Sequence, residues 1–187
     1  MSFEKEIQNI ESETELVQGY DNTVISVLQS YITNSHRVAL CEYGRGNGKL
    51  FSYLSQQVDE IKIIEDFGQT IFQADRNNYK DFDQEDIIEY NVLSSGPLKE
   101  KFDVIYASLP NFVPQFDTDI FQSRLDMAFK NLISMLNPKG YLISVDYNTT
   151  SVKQSIQSLN LPISKYIVTN EDLINPEHYV CVVYNSE

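Results

Sequence analysis

From Arg37 onward the chain alternates short β-rich apolar runs with segments of helical length. The runs are "VALCE" (38 to 42), "IKIIE" (61 to 65), "DIIEYN" (86 to 91), "FDVIYA" (102 to 107) and "YLISVD" (141 to 146). Helical patterns lie between them, the clearest joining Phe121, Leu125, Ala128, Leu132 and Met135 at alternating steps of four and three. Such alternation predicts an α/β fold with a parallel sheet covered by helices on both faces. The tail differs. After a helix carrying Val152, Ile156 and Leu159, "ISKYIV" (163 to 168) and "HYVCVVY" (178 to 184) read as strands joined by about ten residues without helical period. That link is too short for a helical crossover, so these two strands are expected to pair antiparallel.

Upstream, Phe3, Ile7 and Ile10 share one helical face, and Val24, Val27, Leu28, Tyr31 and Ile32 repeat the pattern after a cap at Asp21 or Asn22. The expected organisation is a single domain over 1–187, with a helical extension over 1–36 and the sheet-bearing core over 37–187. The extension would cap the sheet, cover a site as a lid or offer an oligomer surface. With 187 residues and 42% hydrophobic content, the chain is long enough for one substantial core.

Charge narrows the function classes. Fourteen basic against 27 acidic residues give a net charge of −13, and no two Lys or Arg residues are adjacent. Strong binding to nucleic acid needs basic groups that displace counterions, so a nucleic-acid substrate would require a basic partner. No apolar stretch approaches the roughly 20 residues of a membrane span, and neither end carries a targeting pattern, so stable membrane insertion is not expected. A soluble, cytoplasmic protein is the expectation. Cys41 and Cys181 sit in apolar runs and read as reduced core thiols, while His36 and His178 are isolated, so no metal site is expected.

The stretch "ALCEYGRGNGKL" (39 to 50) places Gly44, Gly46 and Gly48 directly after an apolar run that ends in Glu42. Bare backbone between a buried strand and a helix lets a ligand approach where a Cβ would collide with it. The dinucleotide fingerprint G-x-G-x-x-G fits poorly, because Lys49 stands where its third glycine would fall. No G-x-x-x-x-G-K-[ST] is present, which excludes a P-loop.

"VALCEYGRGNG" resembles the first motif of the class I S-adenosylmethionine-dependent methyltransferases, an apolar strand, an acidic residue and x-G-x-G-x-G. The resemblance implies a Rossmann-like, seven-stranded, mostly parallel sheet with helices on both faces and a C-terminal antiparallel hairpin. It also implies S-adenosyl-L-methionine as cofactor, with S-adenosyl-L-homocysteine as product. Glu42 and the loop of Tyr43, Gly44, Arg45, Gly46, Asn47 and Gly48 would then hold the methionine end. In this family the second strand ends in an acidic residue that takes both ribose hydroxyls, and Glu65 stands there, 23 residues after Glu42. Asp66 and Phe67 follow where a side chain commonly packs on the adenine. Asn91 occupies the station facing the adenine amino group, and the backbone N–H of Val92 or Leu93 would reach a ring nitrogen. "LNPKGYLISV" resembles the family's turn into its fifth strand.

The fourth strand ends "FDVIYASLPNF". Methyltransferases of amino nitrogens often carry N-P-P-Y or N-[IL]-P-[YF] at this station. Here Ser108, Leu109, Pro110 and Asn111 stand in its place, with Phe112 one position late. Ser108 would accept one hydrogen bond and also border the cofactor, Pro110 would fix the turn, Asn111 offers a donor and an acceptor, and Phe112 would form an apolar wall. Ser108-Leu109-Pro110 also resembles the turn of bacterial phospholipid N-methyltransferases. Tyr106, Asp146 and Tyr147 lie at or near strand ends and are candidate bases for an oxygen nucleophile, with core packing as the alternative for a buried tyrosine. Three functions remain open at this point: methyl transfer to a small-molecule, lipid or protein acceptor, methylation of an amino group in RNA or DNA with a basic partner, and a catalytically inactive cofactor-binding regulatory module.

Overall fold

The computed structural model describes residues 22–42, 49–67, 76–93, 96, 98–108, 118–146, 149–169 and 179–186. The helix expected on Phe3, Ile7 and Ile10, the glycine loop 43–48, the residues Pro110, Asn111 and Phe112, and Tyr147 lie outside them.

Each apolar run becomes a strand: β1 Arg37–Cys41, β2 Glu60–Glu65, β3 Ile87–Glu89, β4 Phe102–Ser108, β5 Leu136–Asp146, β6 Ile163–Thr169 and β7 Tyr179–Asn185. They form one seven-stranded sheet in the order β3-β2-β1-β4-β5-β7-β6. Pairings through β5 are parallel, and β7 runs antiparallel to both β5 and β6. The expected terminal antiparallel pair is therefore present, with the last strand inserted between its two neighbours.

Successive side chains of a strand point to opposite faces, and the core divides accordingly. Ala39, Cys41, Ile105, Ala107 and Leu142 pack with Leu125, Ala128, Phe129, Leu132, Val152 and Ile156. These last six belong to two helices, α3 (Thr118–Ser134) and α4 (Thr149–Ser158). On the other face Val38, Leu40, Val104, Tyr106, Ile143 and Val145 meet Val24, Ile25, Leu28, Leu50 and Leu54. The partners here come from α1 (Asn22–Tyr31) and the short α2 (Lys49–Leu54). Part of the N-terminal extension thus caps the sheet. Cys41 is a buried thiol, as its apolar run suggested.

In two links the described residues do not form the expected α-helix. Between β2 and β3 the described residues form two 3-10 helices, Arg76–Tyr79 and Gln84–Asp86, and no α-helix. Among the described residues the link from β3 to β4 is a turn at Val92 and Leu93 rather than a helix. The described part of the first link carries Asn77, Asn78, Asp81, Asp83 and Asp86, and the second opens on Asn91, residues whose side chains favour turns over a continuous helical ladder.

The fifth strand also starts earlier than its apolar run. Phe102 pairs with Leu136 and Val104 with Tyr141, so residues 137–140 bulge out opposite Asp103. Lys139 takes a left-handed conformation there, with φ of 66°. The Asp103 carboxylate accepts from the Arg37 N–H at 2.8 Å and from Asn137 Nδ2 at 2.8 Å, tying β1, β4 and β5 together at their N-terminal ends. Ser186 closes the bulge, donating from its N–H to the Gly140 carbonyl at 2.8 Å and from Oγ to the Asn137 carbonyl at 2.6 Å.

Candidate functional site

Open α/β sheets bind ligands outside the carboxyl ends of their strands, where the strand order reverses. In the order β3-β2-β1-β4-β5 that point lies between β1 and β4. Cys41, at the end of β1, pairs with Ile64 of β2 and with Ala107 of β4. The next residue of each chain is Glu42, Glu65 and Ser108, so three polar side chains stand in register on adjacent strand ends. Strand alternation puts Glu65 and Ser108 on the same face, the one covered by α1 and α2. Glu42 is half-buried, whereas Glu65 is 0% and Ser108 1% exposed.

A buried carboxylate needs hydrogen-bond donors to remain charged. Glu65 Oε2 accepts from the Tyr79 hydroxyl at 2.6 Å and Oε1 from the Asp66 N–H at 3.1 Å. Tyr79 comes from the first 3-10 helix and is itself buried. Its phenol is pushed well above the ordinary tyrosine range, first by burial, then by its hydrogen bond to Glu65 and by the negative charges of Glu65 and Glu42. It therefore stays a donor at neutral pH. The Phe67 ring meets Tyr79 edge-on at 5.4 Å between centroids. Arg76 lies 4.3 Å over the Phe67 ring and pairs with Glu89 at 2.6 Å. Phe67 and Asp66 are both buried.

Ser108 Oγ meets no hydrogen-bond partner among the described residues, although its atom is buried. Leaving a buried hydroxyl unsatisfied costs about 1–3 kcal/mol, which a ligand offering a donor or acceptor would recover. Ser144 Oγ of β5 is likewise buried and unpartnered. It stands opposite Ala107, one residue short of Ser108 and on the other face of the sheet.

The β3 rim is organised by a turn. Asn91 Oδ1 accepts from the Leu93 N–H at 2.8 Å, and the Val92 carbonyl accepts from Asn131 Nδ2 at 2.6 Å. Val92 is fully buried, and Asn131 fastens its turn to α3. The Asn91 side-chain carbonyl and the Leu93 N–H thus meet within the turn. Tyr106 is 1% exposed and belongs to the α1/α2 core face. Asp146 ends β5 opposite Val180.

The structure brings Glu42, Glu65, Asp66, Phe67 and Ser108 to one rim. Sequence reasoning missed Tyr79, Asn131 and Ser144. Asn131 left a signal, a polar residue on the buried stripe three after Ala128. Tyr79 lies in "RNNYKDF" (76 to 82), which has no apolar period to mark it. Among the described residues no group of three or more His, Cys, Asp or Glu side chains is placed to hold a metal ion. No described helix is long and apolar enough to cross a membrane.

No family model matches the sequence, and no curated protein matches it. Solved structures do. N-methyltransferase NodS from Bradyrhizobium japonicum WM9, solved with S-adenosyl-L-homocysteine, superposes with a TM-score of 0.60 at 15% identity, over 94% of this chain and 86% of that one. An rRNA methylase from Streptococcus thermophilus gives 0.58 at 11% identity, over 89% and 96%. The ribosomal protein L11 methylase from Lactobacillus delbrueckii subsp. bulgaricus gives 0.59 at 15%, over 89% and 78%. These likenesses show the fold: the chain has the Rossmann-like, seven-stranded architecture of the class I S-adenosylmethionine-dependent methyltransferases.

Proposed function

We propose that this chain is an S-adenosylmethionine-dependent methyltransferase acting on a small-molecule, lipid or protein acceptor. The observation that carries the reading is the row of Glu42, Glu65 and Ser108 on adjacent strand ends at the switch point, with the last two fully buried. The solved likeness of NodS to this chain, in complex with S-adenosyl-L-homocysteine, supports the same cofactor.

The residues present fit that group. Glu65, whose two oxygens accept from Tyr79 and from the Asp66 N–H, presents an oriented carboxylate suited to a pair of vicinal hydroxyls. Glu42 would neutralise the amino group of the methionine end, with the loop of Tyr43 to Gly48 against it. Asp66, Phe67, Asn91 and Val92 would border the adenine. When bound, the cofactor supplies an electrophilic methyl group on sulfur. Displacement at that carbon is in-line, so the protein acts mainly by alignment and by stabilising the shifting charge. Ser108, with its unpartnered hydroxyl, would accept a hydrogen bond from an incoming amino group and so orient its lone pair. Pro110, Asn111 and Phe112 would shape the wall beside it. The net charge of −13 favours an acceptor other than free nucleic acid.

Calorimetric titration of the purified chain with S-adenosylmethionine and S-adenosylhomocysteine tests the reading, with Glu65→Ala as control. Saturable binding, weakened about tenfold or more in a variant that circular dichroism shows to be folded, is the expected result. A folded wild-type chain that binds neither compound would refute it.

A further inference from the structure

We propose that Tyr79 is a positioning residue for the cofactor's ribose, holding the Glu65 carboxylate in the orientation that receives the two ribose hydroxyls. The inference rests on the cofactor reading above and adds a residue to it.

Three observations carry it. The bond from the Tyr79 hydroxyl to Glu65 Oε2 is 2.6 Å, within the range of a charge-assisted O–H···O⁻ bond, and both side chains are buried. The Asp66 N–H holds the other oxygen, so each oxygen has its own donor and the plane of the carboxylate is set from two directions. The Tyr79 ring is in turn immobilised. It lies edge-on to Phe67, 5.9 Å from the Phe82 ring, which meets Phe51 at 5.1 Å. The Phe82 N–H also donates to the Tyr79 carbonyl at 3.1 Å, closing the turn that aims the hydroxyl.

A glutamate has three side-chain torsions, and leaving them free would charge the ordering of its carboxylate against ligand binding. Tyr79 does that ordering during folding. The raised phenol supports the assignment, because the group stays protonated and donating at neutral pH and above. Tyr79 and Phe67 are buried, with Phe51 and Phe82 half-buried against them, which makes Tyr79 a fixed part of the site wall.

The test is calorimetry on the full chain with two probes, S-adenosylhomocysteine and its 2′,3′-dideoxy analogue, for the wild type, Tyr79→Phe, Glu65→Gln and the double variant. Tyr79→Phe keeps the ring, and a circular-dichroism melt checks that the fold is retained. Loss of one charge-assisted bond predicts about tenfold weaker binding of S-adenosylhomocysteine. Affinity for the dideoxy analogue should be unchanged, and Tyr79→Phe should add no further loss in the Glu65→Gln background. Wild-type affinity in Tyr79→Phe, or an equal loss for both probes, overturns the assignment and leaves Tyr79 a packing residue. Equal losses on the two backgrounds do the same; if Tyr79→Phe melts early, the comparison of the two probes within that variant below its melting transition carries the test, since a defect of folding weakens both probes equally. A wild type that binds neither probe overturns the cofactor reading and this assignment with it.

Discussion

Gly140→Ala is expected to destabilise the domain without touching the site. A Cβ at position 140 would lie 2.9 Å from the Asn137 carbonyl oxygen, 2.9 Å from that of Asp103 and 3.2 Å from that of Phe102. All three are main-chain atoms of β4 or of the bulge facing it, so no rotamer change relieves the contact. The chain must separate there, straining the bonds that Gly140 makes with Ser186, 2.8 Å at its carbonyl and 3.2 Å at its N–H. Overpacking of this kind costs about 1–3 kcal/mol. Against it, alanine restricts the unfolded chain and returns about 0.4–1 kcal/mol. The net loss centres on about 1.3 kcal/mol within a range of about 0–2.6, and the central value corresponds to a fall in Tm of about 3–5 °C for a chain of this size. Urea denaturation followed by far-ultraviolet circular dichroism gives the midpoint and slope. The slope should hold while the midpoint falls. A midpoint equal to wild type would show that the bulge yields freely and that the steric reasoning is wrong.

Asp103→Ala removes the acceptor shared by the Arg37 N–H and Asn137 Nδ2, and is expected to lower stability by about 1–3 kcal/mol, read by thermal melting; a loss under about 0.5 kcal/mol would remove Asp103 as the clasp of the three strands. Ser108→Ala deletes a buried hydroxyl that meets no partner, so the folded chain should be unchanged or stabilised by up to about 1 kcal/mol in the same melt, and a clear destabilisation would count against the unpartnered state. Tyr79 and Tyr90 are both raised above the ordinary phenol value, each chiefly by burial. The unfolded chain therefore gives up protons near pH 10 that the folded chain retains, so the stability these groups contribute is complete below about pH 10 and is lost as pH climbs beyond it. Spectrophotometric phenol titration should show a late step that includes Tyr79 and Tyr90 and is diminished in the Tyr79→Phe variant, and a single ionisation step for all 12 tyrosines in the folded chain would contradict this.

The strands were legible because burial on two faces leaves continuous apolar runs, and "FDVIYA" maps onto β4 with one residue added at its end. Glu65 was legible for the same reason, as the carboxylate that closes such a run. The early part of β5 was not. Residues Leu136 to Gly140 read as a turn, and they join the strand only because Asp103 and Ser186 bond the bulge from other parts of the chain. Tyr79 escaped notice for a related reason. It meets Glu65 across 14 residues of a link without apolar period, and nothing local announces that the 3-10 turn doubles back. Asn91 illustrates the reverse case, where a residue picked for a ligand station also serves its own turn through the Leu93 N–H.

The register of β1, β2 and β4 acts as a ruler. Hydrogen-bonded strands stand about 4.8 Å apart, so Glu42 is one spacing from Glu65 and one from Ser108, and the two outer stations are about 10 Å apart. Side-chain motion blurs these intervals but cannot rescale them, since a strand slip of one residue would turn every buried side chain to the wrong face. A compact metabolite or a single small ion can reach one station or two neighbours. The whole row is filled by an elongated ligand or by two molecules held end to end, as a cofactor on the two glutamates and an acceptor at Ser108 would be, and the sheet imposes that spacing before any loop contributes a contact.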